Sequence, residues 1–279
     1  MPSTADKRRT FRKLHEAGCF VIPNPWDIGT TRYLQHLGFK ALATTSAGFA
    51  FSRGVPDAAV SRDDMLAHIA ELVAASDLPV NADFEGGYAH EPAGVAESVR
   101  LCVAIGVAGL SIEDSTGDKD KPLYELDLAV ARIEAARAAI DQAGGDVLLT
   151  GRAECFLVGR PDLDDTIRRL KAYAAAGADC LYAPGIRKRE EIAAVVQAAA
   201  RKPVNFLMPG ALGLTVADIA ALGVRRISVG GTLSRVAFGA FIRAAKAIAN
   251  EGRFDAFADA VSHAELNAFF RDDMTKRSP

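Results

Sequence analysis

The chain has 279 residues, of which 49% are hydrophobic and 24% are charged, a composition typical of globular proteins. Its net charge of −2 provides no basic surface for nucleic acid or anionic membranes, so neither is an expected partner. No apolar run approaches the roughly 20 residues that a membrane-spanning helix needs. Four cysteines lie far apart without a C-x-x-C pair, which argues against a zinc or disulfide scaffold.

The N-terminal stretch MPSTADKRRTFRKL is basic, but no apolar segment follows it. It therefore lacks the pattern of a secretory signal and predicts a helix that leads into the domain. Together with the dispersed cysteines, this favours a reducing, cytoplasmic location.

Short apolar runs alternate with longer segments of helical period along most of the chain. Eight runs predict strands, at Cys19–Pro23, Ala41–Thr44, Val80–Asp83, Gly109–Glu113, Val147–Arg152, Cys180–Ala183, Val204–Leu207 and Arg226–Val229. The segments between them predict helices at 28–38, 62–75, 92–105, 127–142, 162–176, 188–200 and 215–222. Several helices end at a glycine shortly before the next strand, namely Gly38, Gly106, Gly177 and Gly223. Eight such units favour a (β/α)₈ TIM barrel over an open α/β sheet.

Helical patterns at 233–249 and 253–271 follow the eighth predicted strand, which is more than one closing helix requires. No linker or low-complexity segment divides the chain. We therefore predict one barrel domain over 1–279, with a C-terminal helical extension at 233–279. Four histidines lie on predicted helices and are expected at the surface, namely His15, His36, His68 and His263.

The predicted strand ends carry the polar residues that matter most, because the βα loops of a barrel converge there. Asn81, Asp83 and Glu85 alternate, so we expect them to share one face of the third strand. The pooled set is rich in carboxylates and contains one arginine but no histidine: Asn24, Trp26, Asp27, Thr44, Thr45, Ser46, Gly48, Asp57, Asn81, Asp83, Glu85, Glu113, Asp114, Arg152, Glu154, Tyr182, Asn205 and Ser228. Oxygen ligands suit Mg²⁺ or Mn²⁺ rather than zinc, and the arginine suits a substrate carboxylate or phosphonate.

Six segments in this order resemble the isocitrate lyase and phosphoenolpyruvate mutase superfamily. They are GFKALATTSAGFAFSRGVPD, LPVNADFEGGYA, GVAGLSIEDS, LLTGRAECFL, PVNFLMPG and GVRRISVGGTLSRVAFGAF. The resemblance covers roughly residues 10–250. It implies a Mg²⁺-dependent barrel enzyme that acts on a small 2-oxo or 2-hydroxy acid and forms an enolate.

The resemblance also implies roles for particular residues. Ser46 and the backbone at Ala47 and Gly48 would hold the substrate's carboxylate and 2-oxo oxygen, while Arg152 would bind the carboxylate or the enolate oxygen. Three residue sets follow from these roles: catalytic Arg152, Asp57 and Ser46; substrate-binding Thr45, Ser46, Ala47, Gly48, Arg152 and Asn205; and metal-binding Asp83, Glu113, Asn81 and Glu85, with Asp57 acting directly or through water. The family also exchanges its last helix between subunits, so we expect a homo-oligomer, a dimer of dimers.

Two departures from the family pattern limit the reaction. Asn81 occupies the first position of an Asp-x-Asp motif, which removes one negative charge from the metal site. The stretch STGDKDKPLYELD after the fourth strand has neither the cysteine nor the histidine that the family's lyases carry there. This argues against isocitrate or 2-methylisocitrate lyase activity, whereas loss of CO₂ needs no such acid.

We therefore predict cleavage of a C–C bond in a small 2-oxo or 2-hydroxy acid, by an oxaloacetate decarboxylase-like or 2-alkylmalate lyase-like reaction. Cleavage of the P–C bond of phosphonopyruvate, by a mutase or hydrolase, is the alternative within enzymes. A barrel that only binds a metabolite and has lost catalysis is the alternative from another class.

Overall fold

Eight parallel strands form a single sheet in the computed structural model, which describes residues 2–277. They are β1 (Phe20–Ile22), β2 (Leu42–Ala43), β3 (Val80–Asp83), β4 (Gly109–Glu113), β5 (Leu148–Arg152), β6 (Cys180–Tyr182), β7 (Val204–Leu207) and β8 (Arg226–Ser228). Each strand pairs with its sequence neighbour from β2 to β8, and β8 pairs with β1. The amide of Ala43 in β2 donates to the carbonyl of Pro23, 3.0 Å away and directly after β1, so the two edges of the sheet meet. The predicted (β/α)₈ barrel is confirmed.

At least one helix lies between every pair of consecutive strands. The helices are α1 (Thr4–Leu14), α2 (Ile28–His36), α3 (Ser46–Ser52), α4 (Arg62–Ala75), α5 (Pro92–Ala104), α6 (Leu126–Gln142), α7 (Leu163–Ala175), α8 (Arg189–Ala198), α9 (Val216–Ala221), α10 (Thr232–Glu251) and α11 (His263–Arg277). Sequence reasoning missed α3, whose N-cap Thr45 accepts a hydrogen bond from the amide of Gly48. The four glycines predicted to end helices all have positive φ, from 83° to 102°.

The apolar core lies between the outer face of the sheet and the surrounding helices. Ile112, Leu149 and Phe206 belong to a large buried cluster that also contains residues of α5, α6 and α8. A smaller cluster includes Phe11 of α1 and Leu148 at the start of β5. Helix α1 therefore covers the end of the barrel opposite to the strands' carboxyl ends.

Two of the four histidines expected at the surface are buried, so that prediction is wrong for them. His15 is 8% exposed and His68 is 3% exposed. His15 follows α1 and lies within reach of the barrel interior, since its Nε2 is 3.3 Å from Nη1 of Arg226. The ring of His68 stacks on Phe49 with 3.7 Å between ring centroids. Helical periodicity places a residue on a helix but does not show which side chain will be covered.

Residues from Leu233 onward form a second compact unit, distinct from the unit that ends at Thr232. This unit consists of most of α10, a short 3₁₀ helix at Asp255–Asp259, and α11. The 3₁₀ helix and α11 contain no buried residue. Within residues 2–277, no helix combines the length and the apolar character that crossing a membrane requires.

Candidate active site

A cavity of about 200 Å³ opens at the carboxyl ends of the strands. Strands β3, β4 and β5 are adjacent, and their register pairs Asp83 with Ser111 and Glu113 with Arg152. The last residues of these three strands are therefore neighbours at the rim. The cavity is lined by Thr45, Ser46, Ala47, Asp57, Asn81, Asp83, Arg152 and Asn205, together with residues such as Ser111, Tyr182, Arg226, Ser228 and Gly231.

The guanidinium of Arg152 lies at the centre of the charged groups. Its Nη1 is 2.7 Å from Asp83, and its Nη2 is 3.0 Å from Glu113 and 2.9 Å from Glu154. Burial by itself lowers the pKa of Arg152, but Glu154, Glu113 and Asp83 together raise it well above its usual range. Arg152 is therefore permanently charged and held in one orientation.

Asp83 connects Arg152 to the segment that follows β2. One carboxylate oxygen accepts from Arg152, and the other accepts from both the amide and the hydroxyl of Ser46, at 3.0 and 2.9 Å. The amide of Asp83 donates to Oγ1 of Thr44 at 2.8 Å. Ser46 thus stands at the cavity wall with its hydroxyl hydrogen directed to Asp83, which leaves its oxygen as an acceptor.

The remaining residues of the predicted Ser46–Gly48 cradle line or adjoin the cavity mouth. Ala47 lines the cavity, whereas the amide of Gly48 is bound to Oγ1 of Thr45 at 3.1 Å. A Cβ atom at Gly231 would lie 3.4 Å from Cβ of Ala47. The missing side chain at Gly231 keeps this part of the mouth open.

Glu85 does not continue the face formed by Asn81 and Asp83. Strand β3 ends at Asp83, and Glu85 has a left-handed backbone with φ of 47°. Its carboxylate accepts from the hydroxyl of Tyr88 at 3.1 Å and lines a neighbouring chamber, as Glu113 does. Burial, and then the charge of Asp83, raise the pKa of Glu85 to about 7. Glu85 is therefore electrostatically coupled to the site without sharing the strand's face.

Acidic groups outnumber basic groups at this rim. Burial is the first cause of a raised pKa for Glu113 and Glu154, and a raised pKa at Asp57 reflects partial burial followed by the charge of Asp83. Counting Asp83 and Glu85, five interacting carboxyl groups surround Arg152, and three of them pair with it directly. A further cation would offset this excess.

The donor set fits a magnesium ion. Asn81 is 4% exposed and lines the cavity, and its Oδ1 is buried without a hydrogen-bond partner. Within residues 2–277, no three His, Cys, Asp or Glu side chains are grouped so as to enclose a metal by themselves. Mg²⁺ needs no such cage, because it usually keeps several waters and takes one or two carboxylates plus substrate oxygens. Asp83 with Asn81 could hold it in this way, with Asp57, Glu85 and Glu113 around its waters.

Asn205 lies deeper than a strand-end residue, in the wall of the barrel interior. Its Oδ1 accepts from Nε of Arg226 at 2.8 Å, and its Nδ2 donates to Oγ of Ser228 at 2.9 Å. Arg226 also donates to Thr150 at 3.1 Å. Burial, and then the charge of Arg226, lower the pKa of His15 to about 3, so this histidine is a neutral partner. Asn205 is thus fixed by neighbours at the cavity floor.

Sequence reasoning missed two residues of this site. Glu154 lies at a predicted strand end to which the sequence assigns no role, and its place two residues after Arg152 puts it within reach of the same guanidinium. Arg226 is one of two adjacent arginines in VRRIS, and only the assembled barrel shows which of the two lines the cavity.

A (β/α)₈ barrel with a cavity and a cluster of ionisable side chains at the carboxyl ends of its strands has the arrangement of a barrel enzyme. The chain belongs to the phosphoenolpyruvate phosphomutase family, whose model matches residues 11–249. The resemblance to the isocitrate lyase and phosphoenolpyruvate mutase superfamily is thereby confirmed, with Asn81 and the loop after β4 as its departures.

The chain is similar in sequence to proteins with and without an assigned activity. An uncharacterized protein of Mycobacterium tuberculosis is 33% identical, over 96% of this chain and 99% of its own. The oxaloacetate decarboxylase of Paraburkholderia xenovorans is 31% identical, over 80% of this chain and 75% of its own.

Solved structures agree with this placement. A Burkholderia cenocepacia J2315 protein, classed only as a lyase/mutase, has a TM-score of 0.93 and 52% identity, over 96% of this chain and 97% of its own. Oxaloacetate acetylhydrolase with its product oxalate has a TM-score of 0.84 and 28% identity, over 96% of both chains. Phosphonopyruvate hydrolase with oxalate and Mg²⁺ has a TM-score of 0.84 and 25% identity, over 97% and 96%.

Proposed function

We propose that this protein is a Mg²⁺-dependent lyase that breaks a C–C bond in a small 2-oxo or 2-hydroxy acid, next to the carbon that bears the oxygen. The observation that carries the proposal is the fixed guanidinium of Arg152 at the wall of an oxygen-rich cavity. A reaction of this kind places negative charge on an enolate or carbonyl oxygen, which a preorganised cation stabilises. Relatives named oxaloacetate decarboxylase and oxaloacetate acetylhydrolase support an oxaloacetate-like substrate.

The chain's own residues divide the work as follows. Arg152 would bind the oxygen on which charge develops, and its three carboxylate partners would keep it in place. Ser46, with its hydroxyl hydrogen committed to Asp83, would limit the directions from which the substrate can approach. Thr45, Ala47 and Gly231 at the mouth would enclose the carboxylate end.

Asp83 and Asn81 would hold the magnesium ion, with Asp57, Glu85 and Glu113 ordering its waters. The ion would supply a second positive charge beside the reacting oxygen. Mn²⁺ could take its place, since the donors are all oxygens. The cavity's size of about 200 Å³ supports a substrate of few heavy atoms.

A substrate panel tests the proposal. Purified protein is incubated with Mg²⁺ and a series of 2-oxo and 2-hydroxy acids, including oxaloacetate and 2-alkylmalates, and pyruvate and oxalate are measured. Phosphonopyruvate is assayed for released phosphate beside them. Mg²⁺-dependent cleavage of a carboxylic acid supports the proposal, and turnover of phosphonopyruvate alone would replace it with P–C bond chemistry. Binding without any turnover would indicate a metabolite-binding barrel.

We also propose that the protein is a homo-oligomer, a dimer of dimers whose last helices exchange between subunits. The support is the apolar surface of the C-terminal unit, where Phe241 is 66% exposed and Met274 is 63% exposed. Several large apolar side chains exposed on one compact unit are typical of a surface that another protein chain covers. Light scattering should give the mass of a tetramer, and Phe241→Asp should reduce it; a wild-type monomer would contradict the proposal.

A further inference from the structure

A buried group of polar side chains lies behind Arg152, away from the cavity. It joins Asp114, directly after β4, to Glu154, after β5, and to Arg169 and Tyr173 of α7. All four are at most 6% exposed. Burying charged groups is unfavourable unless each is paired, so the arrangement requires a physical account.

Asp114 uses both of its carboxylate oxygens. One accepts from the hydroxyl of Tyr173 at 2.5 Å and from Nη1 of Arg169 at 3.1 Å. The other accepts from the backbone amide of Glu154 at 2.8 Å. Arg169 additionally donates to the carbonyl of Tyr124 at 2.9 Å. Asp114 therefore fixes the backbone position of Glu154 against a rigid helix.

Glu154 in turn fixes the guanidinium. One of its carboxylate oxygens lies 2.9 Å from Nε of Arg152 and 2.9 Å from Nη2. The remaining bonds of Arg152, to Asp83 and Glu113, involve residues at the cavity rim. Glu154 is thus the partner that holds Arg152 from the side opposite to the cavity.

We propose that Asp114 is a positioning residue for Arg152, acting through the backbone of Glu154. This inference rests on the proposed function for its effect on catalysis, but not for its effect on the geometry of Arg152. With Asp114 neutralised, Arg169 loses its anionic partner on this side and the Asp114–Glu154 contact weakens. The Glu154 carboxylate then moves more freely, and Arg152 with it.

A purely structural role for Asp114 is the competing explanation. In that case substitution lowers stability but leaves the bond between Arg152 and Glu154 unchanged in the folded protein. The two explanations predict different rates at which the Arg152 Nε–H hydrogen, which Arg152 donates to Glu154, exchanges with water. They differ also in whether Asp114 and Glu154 act independently.

The test uses Asp114→Asn, with Arg168→Ala as the control, because Arg168 lies on α7 and is exposed, pairing with Asp165 instead. The Arg152 Nε–H signal is assigned in ¹⁵N NMR by its loss in Arg152→Lys. We expect its exchange with water to be at least tenfold faster in Asp114→Asn and unchanged in Arg168→Ala. Unchanged exchange in folded Asp114→Asn overturns the proposal. If that variant does not fold, Tyr173→Phe is measured in its place, with the same expectation in direction.

A double-mutant cycle gives the catalytic readout. On the substrate found by the panel, Asp114→Asn should lower kcat about tenfold, and it should cause no further loss when Glu154→Gln is already present. Full additivity of the two losses overturns action through Glu154. Should the wild-type protein show neither turnover nor Mg²⁺-dependent oxalate binding, the proposed function fails. The NMR exchange rates would then still decide the positioning role.

Discussion

The rim of the barrel has two unlike halves. The ends of β3, β4 and β5 present Asp83, Glu113 and Arg152, all of them ionisable, and Arg152 contacts both acids. The ends of β6, β7 and β8 present Tyr182, Leu207 and Ser228, none of them charged at neutral pH. Both halves are formed by strands of the same parallel sheet, so the fold alone does not explain the difference between them.

The difference shows where chemistry is concentrated in this barrel. Charged side chains at a buried rim are unfavourable unless they are paired or bind a ligand. The half that keeps Asp83, Glu113 and Glu154 around Arg152 therefore indicates a functional rather than a structural requirement. The half formed by β6, β7 and β8, here called the neutral half, has uncharged strand ends. The guanidinium of Arg226 below them donates to Asn205 and Thr150 inside the barrel. We therefore expect substitutions in the charged half to affect turnover, and those in the neutral half to have small effects.

Arg152→Met should produce the largest loss, about 10³-fold in kcat, because it removes the donor to the developing negative charge. It also leaves Asp83, Glu113 and Glu154 without their cation, which should lower the free energy of unfolding by roughly 3–5 kcal/mol. Turnover and urea denaturation measure the two effects. Arg152→Lys, which keeps the charge, should recover most of the stability; near-normal turnover in Arg152→Met would place the chemistry elsewhere.

Asp83→Ala should reduce turnover by about 10²-fold, since both the metal site and the bond to Arg152 are lost. The fold should persist, because Arg152 retains Glu113 and Glu154. Asp118→Ala is the matched control, as Asp118 is an exposed acid in the loop after β4. Equal activity in the two variants would remove Asp83 from the site.

Asn81→Asp should increase Mg²⁺ affinity about tenfold. The substitution puts a charge at a buried oxygen that has no hydrogen-bond partner, on a residue that lines the cavity. Isothermal titration with Mg²⁺ in the presence of oxalate measures the change. A weaker or unchanged affinity would show that Asn81 does not face the ion.

Mg²⁺ affinity should also depend on pH through Glu85. Because the pKa of this carboxyl is raised to about 7, it is largely protonated below that value and ionised above it. A proton and the cation then compete, so affinity should rise about tenfold from pH 6 to pH 8. Titrations of wild type and Glu85→Gln across this range test it, and an equally steep rise in the variant would assign the effect to another group.

Ser228→Ala should have the smallest effect, less than about threefold in kcat. It removes the acceptor of one Asn205 hydrogen bond in the neutral half, and a neutral bond of this kind contributes only about 1 kcal/mol. A loss comparable to that of Asp83→Ala would mean that the two halves share the chemistry equally.

The barrel fold and the proximity of Asp83, Glu113 and Arg152 could be predicted from the sequence. Strand ends can be found from local pattern, and parallel pairing then brings the last residues of neighbouring strands together. Glu85 shows where this reasoning stops. Whether a strand continues for two more residues depends on the turn that follows, here one in which the amide of Gly87 donates to the carbonyl of Phe84 at 2.9 Å.

Arg226 and His15 could not be placed for a related reason. Each has the local pattern of a surface residue, yet both are buried. His15 is buried because α1 covers the end of the barrel. Arg226 is buried because its side chain points from β8 into the barrel interior. Asp114 likewise gains its partners from α7, which is 49 or more residues away in the chain. Such contacts depend on the assembled barrel rather than on local pattern.

Binding of oxalate tests the central claim most directly, because oxalate resembles the enolate of pyruvate in shape and charge. Calorimetric titration is performed with wild type and Asp83→Ala, each with and without Mg²⁺. The account predicts tight binding only to the wild-type protein with Mg²⁺, and a loss of at least tenfold on removing either the ion or Asp83. Binding that is indifferent to both would contradict a metal-assisted site at the ends of β3–β5.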